Sequence, residues 1–210
     1  MSLLAQRKSA AAAPRLEGKE VLTGPDPSVC KVKGVMFGGR KQFLLDALGE
    51  QRFNAFLEKL TPRTRGYVKT PLASSWCEFE SLIELDRATY EELKATHPNV
   101  LALIGAASAE LGIGRIYRSL DSDSLVQFLE TNATFHDQYQ KFGSVKFEKT
   151  PTGARMTYSN YPCYSPIYCA SAVGYFSESI LRHGGTDPVV TESKCQCHGE
   201  KTCTFEMTWK

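Results

Sequence analysis

Apolar side chains recur at intervals of three and four through the first two thirds of the chain, then switch to alternation, and this change of period divides the sequence. Phe43, Leu44, Leu48, Phe53, Phe56, Leu57 and Leu60 follow the longer spacing across residues 41–48 and 51–60, which predicts two helices with a buried face. Thr61-Pro62 ends that run. Ahead of it, residues 29–37 read as a short strand, with Gly34, Gly38 and Gly39 as bends. A further helix is expected near Asp86, read as its cap, and the Ala- and Leu-rich stretch 99–111 closes at Gly112. In 124–139, Leu125, Phe128, Leu129, Thr131, Phe135 and Tyr139 again keep helical spacing.

From residue 143 the period is two. Val145 and Phe147 alternate with polar neighbours, Thr150-Pro151-Thr152-Gly153 forms a turn, and Met156 and Tyr158 alternate on its far side, the pattern of a β-hairpin. Ser165-Pro166 then opens a helix, serine as cap and proline in the first turn. Cys169, Val173, Phe176 and Ile180 share one face of it, and Gly184-Gly185 supplies the stop. Two last strands, 189–194 and 202–209, flank a loop holding His198-Gly199-Glu200. Helices first and antiparallel strands later predict an α+β domain, an antiparallel sheet with helices packed on one side. Residues 1–20, small, basic and interrupted by Pro14, read as a flexible tail before one domain over 21–210.

Composition narrows the function classes. A chain of 210 residues with 42% hydrophobic and 23% charged residues builds an ordinary globular core. A net charge of +2 gives no footprint for direct nucleic-acid binding. No apolar run reaches the roughly 18 residues of a membrane span, and the first residues lack the form of a secretory signal. A cytoplasmic protein is expected. Gly38-Gly39-Arg40-Lys41 lacks the spacing of a phosphate loop, and Gly112-Ile113-Gly114-Arg115 lacks the third glycine of a dinucleotide fingerprint. With only His97, His136, His183 and His198 available, no nucleophile–base pair emerges and no catalytic residue is assigned.

The cysteines carry the chemistry. Seven is an odd number, and thiols clustered in a reducing compartment point to metal ligands, catalysts or ordinary buried residues rather than bridges. Cys30 and Cys77 stand alone; Cys163, Cys169, Cys195, Cys197 and Cys203 fall in a metal-site subregion over 163–210. Cys195 and Cys203 flank a loop that returns the chain, so their sulfurs can converge. Cys169 sits in the first turn of the Ser165-capped helix, where free N–H groups favour a thiolate. Zinc takes four such ligands in a tetrahedron. Glu192, Cys197, His198 and Cys163 are all candidates for the fourth. Lys194 and Lys201 stand ready to offset the negative charge. Parity opposes Glu192: in a regular strand, residues 192 and 195 face opposite ways, and both reach one ion only where the strand ends or bulges.

These residues resemble a known family. Lys141-Phe142-Gly143 leading into a hairpin, a helix opening at Cys169, and Glu192-x-x-Cys195 followed by Cys203-Thr204-Phe205 resemble the 4-vinyl reductase domain, which also serves as the sensory domain of phenol-responsive bacterial activators. The resemblance implies a zinc site of Cys169, Glu192, Cys195 and Cys203, which selects Glu192 over Cys197. The amino-terminal part, with Val32-Lys33-Gly34-Val35 and Trp76, resembles an uncharacterised bacterial family of the same architecture. The group is similar in fold to TRAPP vesicle-tethering subunits and to haem-based nitric-oxide sensors. The Tyr-x-Ser-x-Arg signature of the latter is absent, because Tyr158-Ser159-Asn160-Tyr161-Pro162 does not fit it; haem is declined, with His136 as the residue that keeps it open.

The resemblance implies a non-catalytic regulatory module that encloses a small hydrophobic or aromatic ligand between helices and sheet, above the metal. Trp76, Phe128, Phe135 and His136 are candidate lining residues, as are Tyr139, Tyr164, Tyr168 and Phe176. Unlike the activators, this sequence carries no ATPase or DNA-binding segment, so a signal passes to a partner protein or a second copy, with a homodimer expected. Two other readings stay open: a scaffold of the same fold without a ligand, and an enzyme or haem protein acting on a tetrapyrrole or aromatic compound.

Overall fold

A computed structural model of the chain describes residues 16–26, 28–112 and 124–210. Most of the expected tail, and Ile113, Gly114 and Arg115 of the second glycine pair, lie outside the described residues. Strand β1 (Lys31–Lys33) leads into helices α1 (Val35–Leu57) and α2 (Pro62–Lys69), and β2 (Trp76–Glu78) returns to pair with β1 antiparallel, Val32 opposite Cys77. Helices α3 (Phe79–Leu93), α4 (Val100–Leu111) and α5 (Leu125–Thr134) follow, the last continued by a 3-10 turn at His136–Gln138. Then come β3 (Ser144–Thr150), β4 (Gly153–Ser159), α6 (Pro166–Arg182), β5 (Val189–Lys194), a 3-10 turn at Gln196–His198, and β6 (Thr202–Thr208). The second sheet is antiparallel in the order β3-β4-β6-β5. The architecture is α+β.

Helix α6 is the central beam. Ser165 caps it, its Oγ accepting from Ile167 N at 3.2 Å, and Gly184 at φ +83° follows its end. One side of α6 meets α4 with backbone against backbone. A Cβ on Gly174 would fall 1.9 Å from Ala102 O, and one on Gly105 would fall 1.8 Å from Ser171 O. Only hydrogen at both crossing points lets the axes come so close. The other side of α6 covers the inward sheet face of Met156, Tyr158, Phe205 and Met207, with Phe176 and Phe205 ring centroids 5.6 Å apart. A second core lies among α1, α3 and α4, built on Phe37, Phe56, Phe79, Leu82 and Ile104.

Several expectations change. Residues 29–37 contribute only three residues to a strand, and Val35 already opens α1. The two helices read at 41–48 and 51–60 form one kinked run, broken at Gly49 (φ 72°, ψ 164°). Thr61-Pro62 also starts α2, which the periodicity missed because eight residues carry too few apolar positions. Asp86 is not a cap. It lies inside α3, fully buried, and receives both Arg40 Nε at 2.6 Å and Arg40 Nη2 at 2.7 Å. The buried guanidinium also donates to Met36 O and Ser108 Oγ, so Gly38-Gly39-Arg40-Lys41 is a helix-packing motif in which Arg40 ties α1 to α3 and α4.

Candidate functional site

The four residues that combine spacing and resemblance come together. Cys169, Glu192, Cys195 and Cys203 each bring a ligand atom to one cluster, all within 4.8 Å of one another. Cys169 Sγ lies 3.7 Å from Cys203 Sγ and 3.9 Å from Cys195 Sγ. The three cysteines are buried, and Glu192 Oε1 is buried with no hydrogen-bond partner. A buried carboxylate oxygen without a partner is costly unless something else satisfies it.

Each ligand reaches the cluster by a different local device. Cys169 stands one turn into α6, its N–H donating to Ser165 O at 3.1 Å. Cys203 lies on the inward face of β6 opposite Tyr158, and Glu192 on the inward face of β5 opposite Phe205. The parity problem is solved by a bulge. Glu192 pairs with Phe205 but Lys194 pairs with Thr204, so β5 spends two steps where β6 spends one. Ser193 is the extra residue; its Oγ lies 3.3 Å from Thr204 O. Beyond it Cys195 faces the same side as Glu192.

The other candidates for fourth ligand stand differently. Cys197 is buried and near enough to hydrogen-bond with Cys169 and Cys195, but lies outside the four-residue group. His198 turns away and donates from Nε2 to Glu17 O at 2.7 Å. Cys163 sits in the other core, its free thiol within hydrogen-bonding reach of the Cys30 thiol. Lys194 and Lys201, read as charge partners, are exposed. Burial pushes the Glu192 carboxyl up to about 8. Hydrogen bonds to Cys195, Cys197 and Cys203 hold the Cys169 thiol well above its ordinary range, and the same network pulls Cys195 down. Such a cluster accommodates several thiolates only with a cation among them.

Above it lies a cavity of about 170 Å³ between α5, α6 and the sheet. Phe128, Phe135, His136 and Tyr139 line it from the α5 side, and Tyr164, Tyr168 and Phe176 from the α6 side. Cys169 and Cys203 reach its wall as well, so the candidate ligand cluster and the cavity share two residues. Trp76 is the exception. It lies on β2 away from the cavity, with Lys33 Nζ 4.0 Å and Lys141 Nζ 4.7 Å from its ring centroid, so its aromatic face serves a surface cation–π contact.

Polar groups in the wall form a chain. His136 Nε2 donates to Phe142 O at 3.0 Å and lies 3.1 Å from Tyr161 OH, which donates to Gln140 Oε1 at 3.1 Å. Gln140 Nε2 donates to Tyr168 OH at 2.6 Å, and across the cavity Asn132 Nδ2 donates to Tyr175 OH at 2.9 Å. Burial holds His136 below its ordinary pKa. Tyr158, Tyr161, Gln140 and Tyr175 were missed in the sequence. The inward alternation of Met156 and Tyr158 was a usable signal for the first, whereas Tyr161 lies in irregular chain and carried none.

No family model matches the sequence, and no curated protein matches it. Solved structures do. An H-NOX protein from S. oneidensis, in its Fe(II)NO ligation state, superposes with a TM-score of 0.67 at 15% identity, covering 85% of this chain and 99% of that one. The Fe(II) unliganded H-NOX protein from K. algicida gives 0.60 at 12% identity over 85% and 96%. The fold is that of H-NOX domains.

The H-NOX-like fold raises the question of haem, and the described wall does not fit one. About 170 Å³ is the scale of a single ring, since an engineered cavity of about 150 Å³ takes benzene, far below a tetrapyrrole. Among the described lining residues the one permanent cation, Arg40, is already engaged by Asp86 and is not free for propionates. Among the described residues no helix is long and apolar enough to cross a membrane.

Proposed function

We propose that this chain is a non-catalytic sensory or regulatory module in which a structural zinc ion forms part of the floor of a small aromatic-lined cavity, and that a hydrophobic or single-ring aromatic ligand fills the cavity. The observation that carries this reading is the double membership of Cys169 and Cys203, which belong both to the four-residue ligand cluster and to the cavity wall. Zinc bonded to sulfur at about 2.3 Å sets tetrahedral edges of about 3.8 Å. The Sγ–Sγ separations of 3.7 and 3.9 Å match those edges, and the unpartnered Glu192 oxygen offers the oxygen ligand.

Zinc in this site contributes Lewis-acid charge that holds thiolates and carboxylate together. Cys169, Glu192, Cys195 and Cys203 would supply all four protein ligands of such an ion, which favours a structural over a catalytic role. The side chains of α5 and α6 supply apolar surface to a ligand, while the His136–Tyr161–Gln140–Tyr168 chain keeps the wall's polar atoms paired. A response passes to a partner protein or a second copy.

Native mass spectrometry of protein purified without added metal tests the reading. One zinc per chain is expected, together with a mass shift on adding phenol as a single-ring probe. Zinc-free folded protein with an unchanged melting temperature in chelator overturns it.

A further inference from the structure

The segment ahead of β1 is tied to the metal loop and to the cap of α6. Lys19 N donates to Cys197 O at 2.8 Å, and His198 Nε2 donates to Glu17 O at 2.7 Å. Between them Gly18 adopts φ +132°, and a Cβ there would fall 2.6 Å from Cys197 O, so the strap lies flat on the loop through a residue with no side chain. Val21 and Tyr164 then form an isolated antiparallel bridge with both hydrogen bonds made, at 2.9 and 2.7 Å. The Glu20 carboxylate spans two elements, accepting from the Ser165 hydroxyl and from Arg87 Nη2 at 2.6 Å. Leu16 and Leu22 pack on the core among α1, α3 and α4 at either end.

Every tie except Arg87 and the two leucines goes to residues next to the ligand cluster. Cys197 and His198 belong to the turn between ligands Cys195 and Cys203, and Tyr164 and Ser165 stand five and four residues before Cys169. Tyr164 and Ser165 also line the cavity.

We infer that residues 16–22 are a strap whose docking is coupled to occupancy of the Cys169–Glu192–Cys195–Cys203 cluster, so that metal loading or loss is transmitted to the amino-terminal end of the chain. The inference rests on the metal reading given above. A cation bonded to Cys195, Cys203, Glu192 and Cys169 fixes the 195–203 loop against β5 and α6 at once, and that loop presents the Cys197 carbonyl and the His198 ring to the strap. Without the cation the loop loses its anchor, and the strap loses two of its acceptor and donor partners together. Linkage makes the effect reciprocal: a strap that cannot dock weakens the hold on the metal.

Hydrogen exchange of the full chain, with zinc bound and after chelation, tests the coupling, with zinc counted by metal analysis in each sample. Chelation is expected to speed exchange of the Lys19 and Val21 amides at least about ten-fold while the amides of α3 keep their rates. The variant Gly18→Val, which places a side chain against Cys197 O, is expected to bind one zinc and to release it to a chelator at least about three-fold faster than the parent chain. Should that variant not fold, Glu20→Gln, which weakens the ties to Ser165 and Arg87, carries the same release measurement. Zinc uptake with unchanged exchange at residues 19 and 21, or unchanged release from the strap variant, overturns the coupling and leaves the metal reading standing. Failure to take up zinc at all overturns both.

Discussion

The sulfurs of Cys169 and Cys203 lie 3.7 Å apart across 34 residues of chain, one carried in the first turn of α6 and the other on the inward face of β6. That contact joins a helix to a sheet at the point where the cavity meets the ligand cluster.

Replacing one of the pair separates a metal role from a packing role. Cys203→Ser is nearly isosteric and should pack, yet it should lower bound zinc to well below one per chain. At free zinc a thousand-fold above Kd, the loss of linkage amounts to about 4 kcal/mol of stability. Thermal melts with and without chelator check it: the parent chain should drop in Tm on chelation and the variant should not respond.

Two Gly→Ala changes should act with opposite signs, according to what a methyl meets at each position. Gly174→Ala puts a methyl 1.9 Å from Ala102 O, forcing α4 and α6 apart at a cost of roughly 1–3 kcal/mol. Gly66→Ala, on exposed α2 with nothing within 4 Å, should instead stabilise by about 0.5–1 kcal/mol. Denaturant melts of the two variants check both signs.

Arg40 and Asp86 are buried together, so breaking the pair should cost more than removing it. Asp86→Asn leaves a buried guanidinium without its counter-charge, and a loss of about 3–5 kcal/mol is expected. The double variant Arg40→Met, Asp86→Leu should recover most of that loss. A double-mutant cycle from urea midpoints measures the coupling.

Glu78 sets part of the acid sensitivity. Its carboxylate accepts from Lys31 Nζ at 2.8 Å and from the Tyr67 hydroxyl. Burial works against its charged form, but these partners outweigh it and hold its pKa at about 2, below the ordinary 4.5. A carboxyl depressed in the folded state contributes stability that is fully present above its unfolded pKa and is lost as pH falls toward the folded one. Glu78→Gln should therefore weaken the protein at pH 7 and flatten the decline between about pH 5 and 2, read from urea midpoints across that range.

Much of the architecture was legible in the chain. The change of hydrophobic period at residue 143 separates helices from strands, and Ser165-Pro166 marks the start of α6 to the residue, because capping is decided within four positions. Helix α2 was not legible, with eight residues and two buried positions, nor was the kink at Gly49, where one residue interrupts an otherwise continuous pattern. Asp86 misled for a definite reason. A lone carboxylate between helical residues is more often a cap than a buried partner, and its partner Arg40 lies 46 positions earlier in a stretch with no charge pattern around it.

The candidate site divides the same way. Residue order alone names Cys169, Cys195 and Cys203 with four candidates for a fourth partner, where each lies in its own element, and that parity sets Glu192 against Cys195; the family resemblance selects Glu192. Folding in three dimensions added the rest: a bulge at Ser193 turns both to one side, Cys169 and Cys203 meet, Trp76 stays away under two lysines, and Cys163 turns toward Cys30. Periodicity records which face of an element avoids water, and capping records where an element begins, because both are settled by neighbours along the chain. What that face is buried against depends on crossings between distant segments, here set by the glycines of α4 and α6, and no local pattern encodes those distances.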